Sequence, residues 1–121
     1  MGTNFTYMKY IVYQTVNKLY YKIYIGVHKS ENPDVFDGYL GCGAYANKPS
    51  SYNKTKYHLH NAILKYGVKN FYRITLKVFD NPEEAFKLES ELVYEDFIKR
   101  SDTYNMIVGG FIPPINNKII Y

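Results

Sequence analysis

The sequence predicts an α/β (α+β) fold, in which helices flank a small, mostly antiparallel sheet of three strands in the order β-β-α-β-α. Two segments rich in β-branched and aromatic residues follow each other across a short turn, and a third such segment lies further along the chain. Two segments with helical spacing of apolar residues complete the order. The chain has 121 residues, of which 46% are hydrophobic and 21% charged, as is typical of one globular domain.

The first two strands are predicted as a hairpin. Residues Lys9–Val16 form its first strand, Asn17-Lys18 supply the turn, and Tyr21–His28 form the second strand. Alternate residues of a strand point to opposite faces, so the second strand has an apolar face and a face that carries chemistry. The first face holds Ile23, Ile25 and Val27, and the second holds Tyr24, Gly26 and His28.

A long loop is predicted next, over Lys29–Ser51, because this stretch is rich in turn-forming residues. Apolar residues with helical spacing then predict a helix over Thr55–Tyr66, which ends at Gly67. The alternating stretch Phe71–Phe79 is predicted as the third strand.

The second helix has a strong start signal. Asn81 is the predicted N-cap, Pro82 occupies the first helical position, and the helix is predicted to run to about Lys99. Residues Asp102–Gly110 are predicted as a turn, with or without a short strand. We expect one domain over residues 1–110 and a peripheral tail over Phe111–Tyr121.

Composition constrains where such a protein works and what it binds. No apolar run approaches the ~20 residues of a membrane span, and the amino-terminal residues lack a secretory apolar region. The single cysteine, Cys42, cannot form an internal disulfide, so we expect a cytoplasmic protein that is neither secreted nor membrane-bound. The net charge of +4 is compatible with a polyanionic partner without requiring one.

Four short motifs occur in an order that resembles a known enzyme family. They are Ile11-Val12-Tyr13, Tyr24-Ile25-Gly26, the helical stretch around Leu88-Glu89, and Tyr104-Asn105. Together they resemble the GIY-YIG nuclease superfamily, especially the homing-type endonucleases of phages and mobile elements. The resemblance extends from about Lys9 to Gly110.

The resemblance implies a DNA endonuclease that hydrolyses phosphodiester bonds with Mg²⁺ or Mn²⁺. It implies that Tyr13 and Tyr24 are catalytic and that Glu89 is catalytic and binds the metal ion. His28 and Lys29 are the nearest basic candidates for the scissile phosphate, because the family's usual arginine after the second motif is absent here. In a phage, such an enzyme would act in the cytoplasm of the bacterial host.

The residues themselves leave alternatives open. Glu89 lies in an apolar stripe of its helix, where a metal ion, a tyrosine hydroxyl or a backbone amide could compensate the charge. Tyr13 and Tyr24 are also compatible with half-buried sheet positions, and His28 with a surface residue or a general acid or base. Arg73 would take part if its side chain faces the site.

The remaining candidates are proposed as substrate-binding residues. Gly26 leaves space for a phosphate backbone, Tyr39 could stack on a base or sugar, and Asn105 could instead have an architectural role near the site. Lys65 belongs to a basic group that could follow a phosphate backbone or could be a solvated face. This group comprises Lys48, Lys54, Lys56, Lys65 and Lys69.

Three smaller expectations concern the loop and the first helix. The glycine-rich stretch Asp37–Gly43 either binds a phosphate through its amides or simply requires positive φ angles. Cys42 is expected as a small packing residue. His58 and His60 are expected at the surface or core edge rather than as zinc ligands.

Two other functions remain possible from the sequence. The same fold could be a DNA-binding module that has lost cleavage, or a structural or inhibitory protein that binds other proteins. As a nuclease, the chain would need a homo-oligomer, a separate DNA-binding partner or a further segment for strong sequence selectivity.

Overall fold

The computed structural model describes residues 8–53 and 56–110, and the predicted peripheral tail lies outside this range. The main elements occur in the order β-β-β-β-α-β-α-α. They are β1 (Lys9–Asn17), β2 (Lys22–Ser30), β3 (Tyr39–Gly41), β4 (Ala44–Tyr45), α1 (His58–Tyr66), β5 (Phe71–Phe79), α2 (Pro82–Leu92) and α3 (Glu95–Ile98). The predicted α+β fold is confirmed, since helices pack on a sheet of three antiparallel strands.

The main sheet has the strand order β2-β1-β5, so β1 lies in the centre and β2 is an edge strand. In the predicted hairpin, Tyr13 pairs with Gly26 and Ile11 pairs with His28. Paired residues of antiparallel strands share a face, so Tyr13 shares a face with both His28 and Tyr24. Both strands extend one or two residues beyond the predicted limits on their carboxyl side, and Tyr21 belongs to the turn with a φ of 57°.

The predicted long loop contains more structure than expected. Strands β3 and β4 form a second, two-stranded sheet, and a 3₁₀ turn follows at Pro49–Ser51. The loop folds back onto the main sheet because the buried Leu40 accepts a hydrogen bond at its carbonyl from Thr15 Oγ1 (2.6 Å). Helix α1 begins later than predicted, at His58, and ends as predicted before Gly67, whose φ is 90°.

The second predicted helix is interrupted. Asn81 caps α2 as expected, because its side chain accepts from the Glu84 amide (2.9 Å). The helix ends at Leu92 instead of about Lys99, because the carbonyl of Val93 accepts from the Gly109 amide (2.7 Å) rather than continuing the helical ladder. A separate short helix, α3, then places Phe97 in the core.

Two apolar cores lie on the opposite faces of the main sheet. One core packs α2 and α3 against residues such as Val12, Ile25 and Val27. The other joins α1 to β3 and β4 through residues such as Leu40 and Ile63. Within the described residues, no helix is both long and apolar enough to cross a membrane.

Candidate active site

A cavity of about 590 Å³ brings together β1, β2, α2 and the segment 104–109. Cavities of this size are typical of ligand sites. Five of the residues singled out from the sequence line it: Tyr13, Tyr24, Tyr39, Glu89 and Asn105. The structure therefore gathers side chains from five separate parts of the sequence.

The two motif tyrosines are close neighbours on one face of the hairpin. The ring centroids of Tyr13 and Tyr24 are 6.2 Å apart, and Tyr13 is almost fully buried. Burial raises the pKa of both phenols, and neighbouring side chains add to the effect: Tyr39 for Tyr13, and Cys42 for Tyr24. Both hydroxyls therefore remain protonated at neutral pH in the protein alone.

The role expected for Gly26 has a different physical basis. The space above this glycine is filled by the rings of Tyr13 and Tyr24, and an added Cβ would lie 2.5 Å from the Tyr13 hydroxyl oxygen. The missing side chain thus admits a phenol, rather than leaving an open approach for a phosphate backbone.

Glu89 is the carboxylate of the cavity. It lies on α2 among apolar residues, and burial raises its pKa, although a hydrogen bond from the Gly110 amide to Oε1 (2.9 Å) partly opposes the shift. The backbone-amide alternative raised by the sequence is therefore present. Glu91, two residues further along α2, is exposed, and Asp96 lies on the separate helix α3.

Asn105 has the architectural role that the sequence left open. Its Oδ1 accepts from the Ile25 amide (2.9 Å) and its Nδ2 donates to the Ile25 carbonyl (2.8 Å). The side chain thus replaces a strand partner at the edge of β2, next to Tyr24 and Gly26. Its amide atoms are engaged by the Ile25 backbone, while the residue also lines the cavity, so its substrate-binding role stays a prediction.

His28 and Arg73 lie on the same face as Tyr13 but outside the cavity. Their side chains are only 5% and 3% exposed, and both contact Asp37. His28 Nε2 donates to Asp37 Oδ2 (2.5 Å), and one Arg73 nitrogen donates to Asp37 Oδ1 (3.1 Å) and to the Tyr39 carbonyl (2.9 Å). Arg73 thus lies on the face of the sheet that carries Tyr13 but does not line the cavity, and its role in the site stays a prediction.

The stacking role expected for Tyr39 is contradicted. Its ring is 2% exposed and stacks on His28, with centroids 4.1 Å apart and an angle of 11°. Tyr13 and Tyr45 contact it edge-on at 6.0 and 5.1 Å, and its hydroxyl accepts from the Gly43 amide (3.0 Å). No ring face remains for a base, so Tyr39 is a packing residue of the site wall.

Two basic candidates are not brought to the cavity. Lys29 is exposed on the opposite face of β2 from His28, and Lys65 is exposed at the end of α1. Instead, Lys56 and His58 line the cavity from its other side. The sequence placed Lys56 only in a broad basic group and gave His58 no role, because their positions depend on how the long loop folds.

The positive φ angles expected in the glycine-rich loop are present, and phosphate binding by its amides stays a prediction. Gly38, Gly41, Cys42 and Gly43 all have positive φ angles, so the sequence there serves backbone geometry. Cys42 lines the cavity beside Tyr24, and burial raises the pKa of its thiol to about 11. His60 is buried as a structural residue, since Nδ1 accepts from the Asn53 amide and Nε2 donates to the Gly41 carbonyl.

Comparison with known proteins identifies similar phage proteins. The chain is 40% identical over 101 residues to the protein named "Putative endonuclease segC" of Enterobacteria phage T4, a match that covers 84% of this chain and 43% of that protein. It is 39% identical over 108 residues to "Putative endonuclease segD" (89% and 42%) and 34% identical over 101 residues to "Endonuclease segA" (84% and 38%), both of the same phage.

The chain spans about two fifths of the length of these curated relatives. No family model matches the sequence, and no solved structure matches it. The similarity thus relates nearly the whole of this chain to one part of phage proteins that are named endonucleases.

Proposed function

We propose that this chain is a DNA endonuclease domain of the GIY-YIG type, of phage or mobile-element origin, which hydrolyses phosphodiester bonds with Mg²⁺ or Mn²⁺. The observation that carries the proposal is the shared cavity of Tyr13, Tyr24 and Glu89, three residues from separate motifs of the resemblance. The similarity to phage proteins named endonucleases supports the same conclusion.

The metal ion is proposed from the chemistry of Glu89. The described residues contain no group of three or more His, Cys, Asp or Glu side chains suited to a metal ion. A single carboxylate nevertheless fits Mg²⁺, which keeps several water molecules and binds through one or two carboxylates together with substrate phosphates. Glu89 would hold the ion, which when bound supplies positive charge to the phosphate and activates water.

The tyrosines supply the remaining polar groups. Tyr13 and Tyr24 present protonated phenols at the cavity, and such groups can hydrogen-bond a phosphate oxygen or the attacking water. Lys56 adds a positive charge to the cavity lining and would attract the DNA backbone. Because the cavity is largely apolar, these interactions would be stronger than in bulk water.

The test is cleavage of supercoiled plasmid with Mg²⁺ or Mn²⁺. We expect nicking or linearisation by the wild-type protein, abolished by EDTA and by Glu89→Ala. Glu91→Ala is the matched control, since Glu91 lies on the same helix but is exposed and outside the cavity. Full activity of Glu89→Ala, or equal loss in both variants, would contradict the assigned role of Glu89.

A catalytically impaired DNA-binding module is the second candidate. Among the described residues no arginine lines the cavity, and Arg73 is buried against Asp37, away from any open approach. The absence of a guanidinium at the phosphate favours this alternative. Salt-sensitive DNA binding with intact plasmid under all metal conditions would select it.

We propose that this domain alone does not supply strong selectivity for a DNA sequence. The matched relatives are more than twice as long as the aligned segment, so a further segment, a second copy or a DNA-binding partner would contribute it. Binding of this chain to unrelated DNA duplexes with similar affinity would be the expected result.

A further inference from the structure

Asp37 joins three strands on the face of the sheet that carries Tyr13. Its carboxylate contacts His28 on the edge strand β2 and Arg73 on the opposite edge strand β5. Tyr13 lies on the central strand between them. The two side chains that Asp37 bonds therefore come from the strands on either side of Tyr13.

Register places the three residues around the Tyr13 ring. His28 pairs with Ile11 and Arg73 pairs with Thr15, one position on either side of Tyr13 along that face of β1. The imidazole lies edge-on to the Tyr13 ring at 6.5 Å, and the guanidinium carbon lies 5.7 Å from the ring centroid. The Tyr13 ring thus contacts both groups that Asp37 holds.

The charges explain why Asp37 is needed. A buried guanidinium is costly unless a hydrogen-bonded partner compensates it, and Asp37 supplies the carboxylate for Arg73. Partial burial alone would raise the pKa of Asp37, but the bonds from His28 and the Tyr39 amide and the charge of Arg73 outweigh that effect and lower it. Asp37 therefore remains ionised, and Oδ1 also accepts from the Tyr39 amide (3.0 Å).

We propose that Asp37 is a positioning residue of the nuclease site, which fixes His28 and Arg73 so that together they hold the Tyr13 ring in its working orientation. This inference rests on the proposed function. Asp37 does not line the cavity, so it would act through Tyr13 rather than on the substrate itself. Residues that orient a reacting group in this way typically change activity by about 10–100-fold when altered.

The test is steady-state cleavage by Asp37→Asn, with Asp34→Asn as the matched control. Asp34 lies in the same loop and is exposed. We expect Asp37→Asn to lower kcat by about 10–100-fold with KM changed less than about threefold, because Asp37 lies outside the cavity where the substrate is proposed to bind. Asp34→Asn should cleave like wild type.

A second readout follows the imidazole itself. Long-range ¹H–¹⁵N spectra should show Nε2 of His28 carrying the proton that faces Asp37, and Asp37→Asn should change the His28 ring signals while Asp34→Asn leaves them unchanged. If Asp37→Asn does not fold, Arg73→Lys serves instead. It keeps a positive charge on β5 but cannot bond the Asp37 carboxylate and the Tyr39 carbonyl from one planar group.

The outcomes separate the two proposals. If wild type cleaves DNA and Asp37→Asn cleaves equally well, or its His28 signals match wild type, the inference fails while the proposed function stands. A rise in KM for Asp37→Asn without a fall in kcat also overturns the inference, since that result would assign Asp37 to DNA binding. If wild type cleaves no DNA under any metal condition, the proposed function fails and the inference falls with it.

Discussion

The hydroxyl oxygen of Tyr13 lies over Gly26, only 2.5 Å from the position that a Cβ atom on this glycine would occupy. The two residues pair across the hairpin, so the first motif places its phenol directly on the second. The glycine and the tyrosine therefore act as one unit, in which the absence of a side chain allows the ring to lie flat on the sheet and reach the cavity.

Replacing Gly26 by alanine should displace the Tyr13 ring. A Cβ at this position would also lie 2.8 Å from the Tyr13 ring carbon that bears the hydroxyl, well inside normal contact distance. Overpacking of this kind typically costs about 1–3 kcal/mol, so we expect denaturant unfolding to show a loss of this size. Plasmid cleavage should fall with it. An unchanged unfolding midpoint would mean that the ring is not held against Gly26.

Removing only the Tyr13 hydroxyl separates chemistry from packing. Tyr13→Phe keeps the ring that packs against Tyr39 and His28, so the thermal stability should stay close to wild type. If the phenol orients the water or phosphate, kcat should fall by about 10²–10⁴-fold. Tyr20→Phe is the control, because Tyr20 is exposed in the hairpin turn and should retain full activity. Wild-type cleavage by Tyr13→Phe would restrict Tyr13 to a packing role.

Asn105→Asp tests the hydrogen bonds that Asn105 forms with the backbone of the edge strand β2. The change removes the donor to the Ile25 carbonyl and places a negative charge beside it, while the shape of the side chain is kept. Loss of a buried hydrogen-bond partner costs about 1–3 kcal/mol, so the melting temperature should fall. Hydrogen exchange at the Ile25 amide should accelerate more than at the central strand. Asn61→Asp, at an exposed position on α1, should have little effect.

The sequence predicted those parts of the site that local periodicity determines. Alternation placed Tyr24, Gly26 and His28 on one face of β2, and helical spacing placed Glu89 in an apolar stripe. The limits of β5 and the end of α1 before Gly67 were also predicted correctly, because strand alternation and the glycine cap are local signals.

The parts that depend on distant contacts were not predicted. Asp37 was considered only as the first residue of the glycine-rich stretch, since nothing in its neighbourhood indicates that it would meet Arg73, 36 positions later. The predicted end of α2 was wrong for the same reason. The Gly109 amide, which donates a hydrogen bond to the Val93 carbonyl, lies beyond α3 in the sequence. Burial of Tyr39 likewise depends on the loop folding back over His28.

Glu89→Gln should stabilise the metal-free protein at neutral pH. Burial raises the pKa of Glu89 above its usual value of 4.5, so the folded protein binds a proton more readily than the unfolded chain. Stability linked to Glu89 is therefore fully present below pH 4.5 and is lost as the pH rises through the higher folded-state pKa. Glutamine remains neutral and keeps an oxygen for the Gly110 amide, which removes this loss.

Thermal unfolding in EDTA measures the effect. Near pH 7, Glu89→Gln should melt a few degrees above wild type, since about 1 kcal/mol corresponds to roughly 4 °C in a domain of this size, and the difference should vanish near pH 4. Glu91→Gln, on the exposed side of α2, should show no such dependence. Added Mg²⁺ should raise the melting temperature of wild type but not of Glu89→Gln, since only the carboxylate would bind it.

The opposite result would contradict this prediction. If Glu89→Gln is less stable than wild type at pH 7 without metal, the ionised carboxylate stabilises the folded protein by itself, and its burial is not a cost that a cation must compensate.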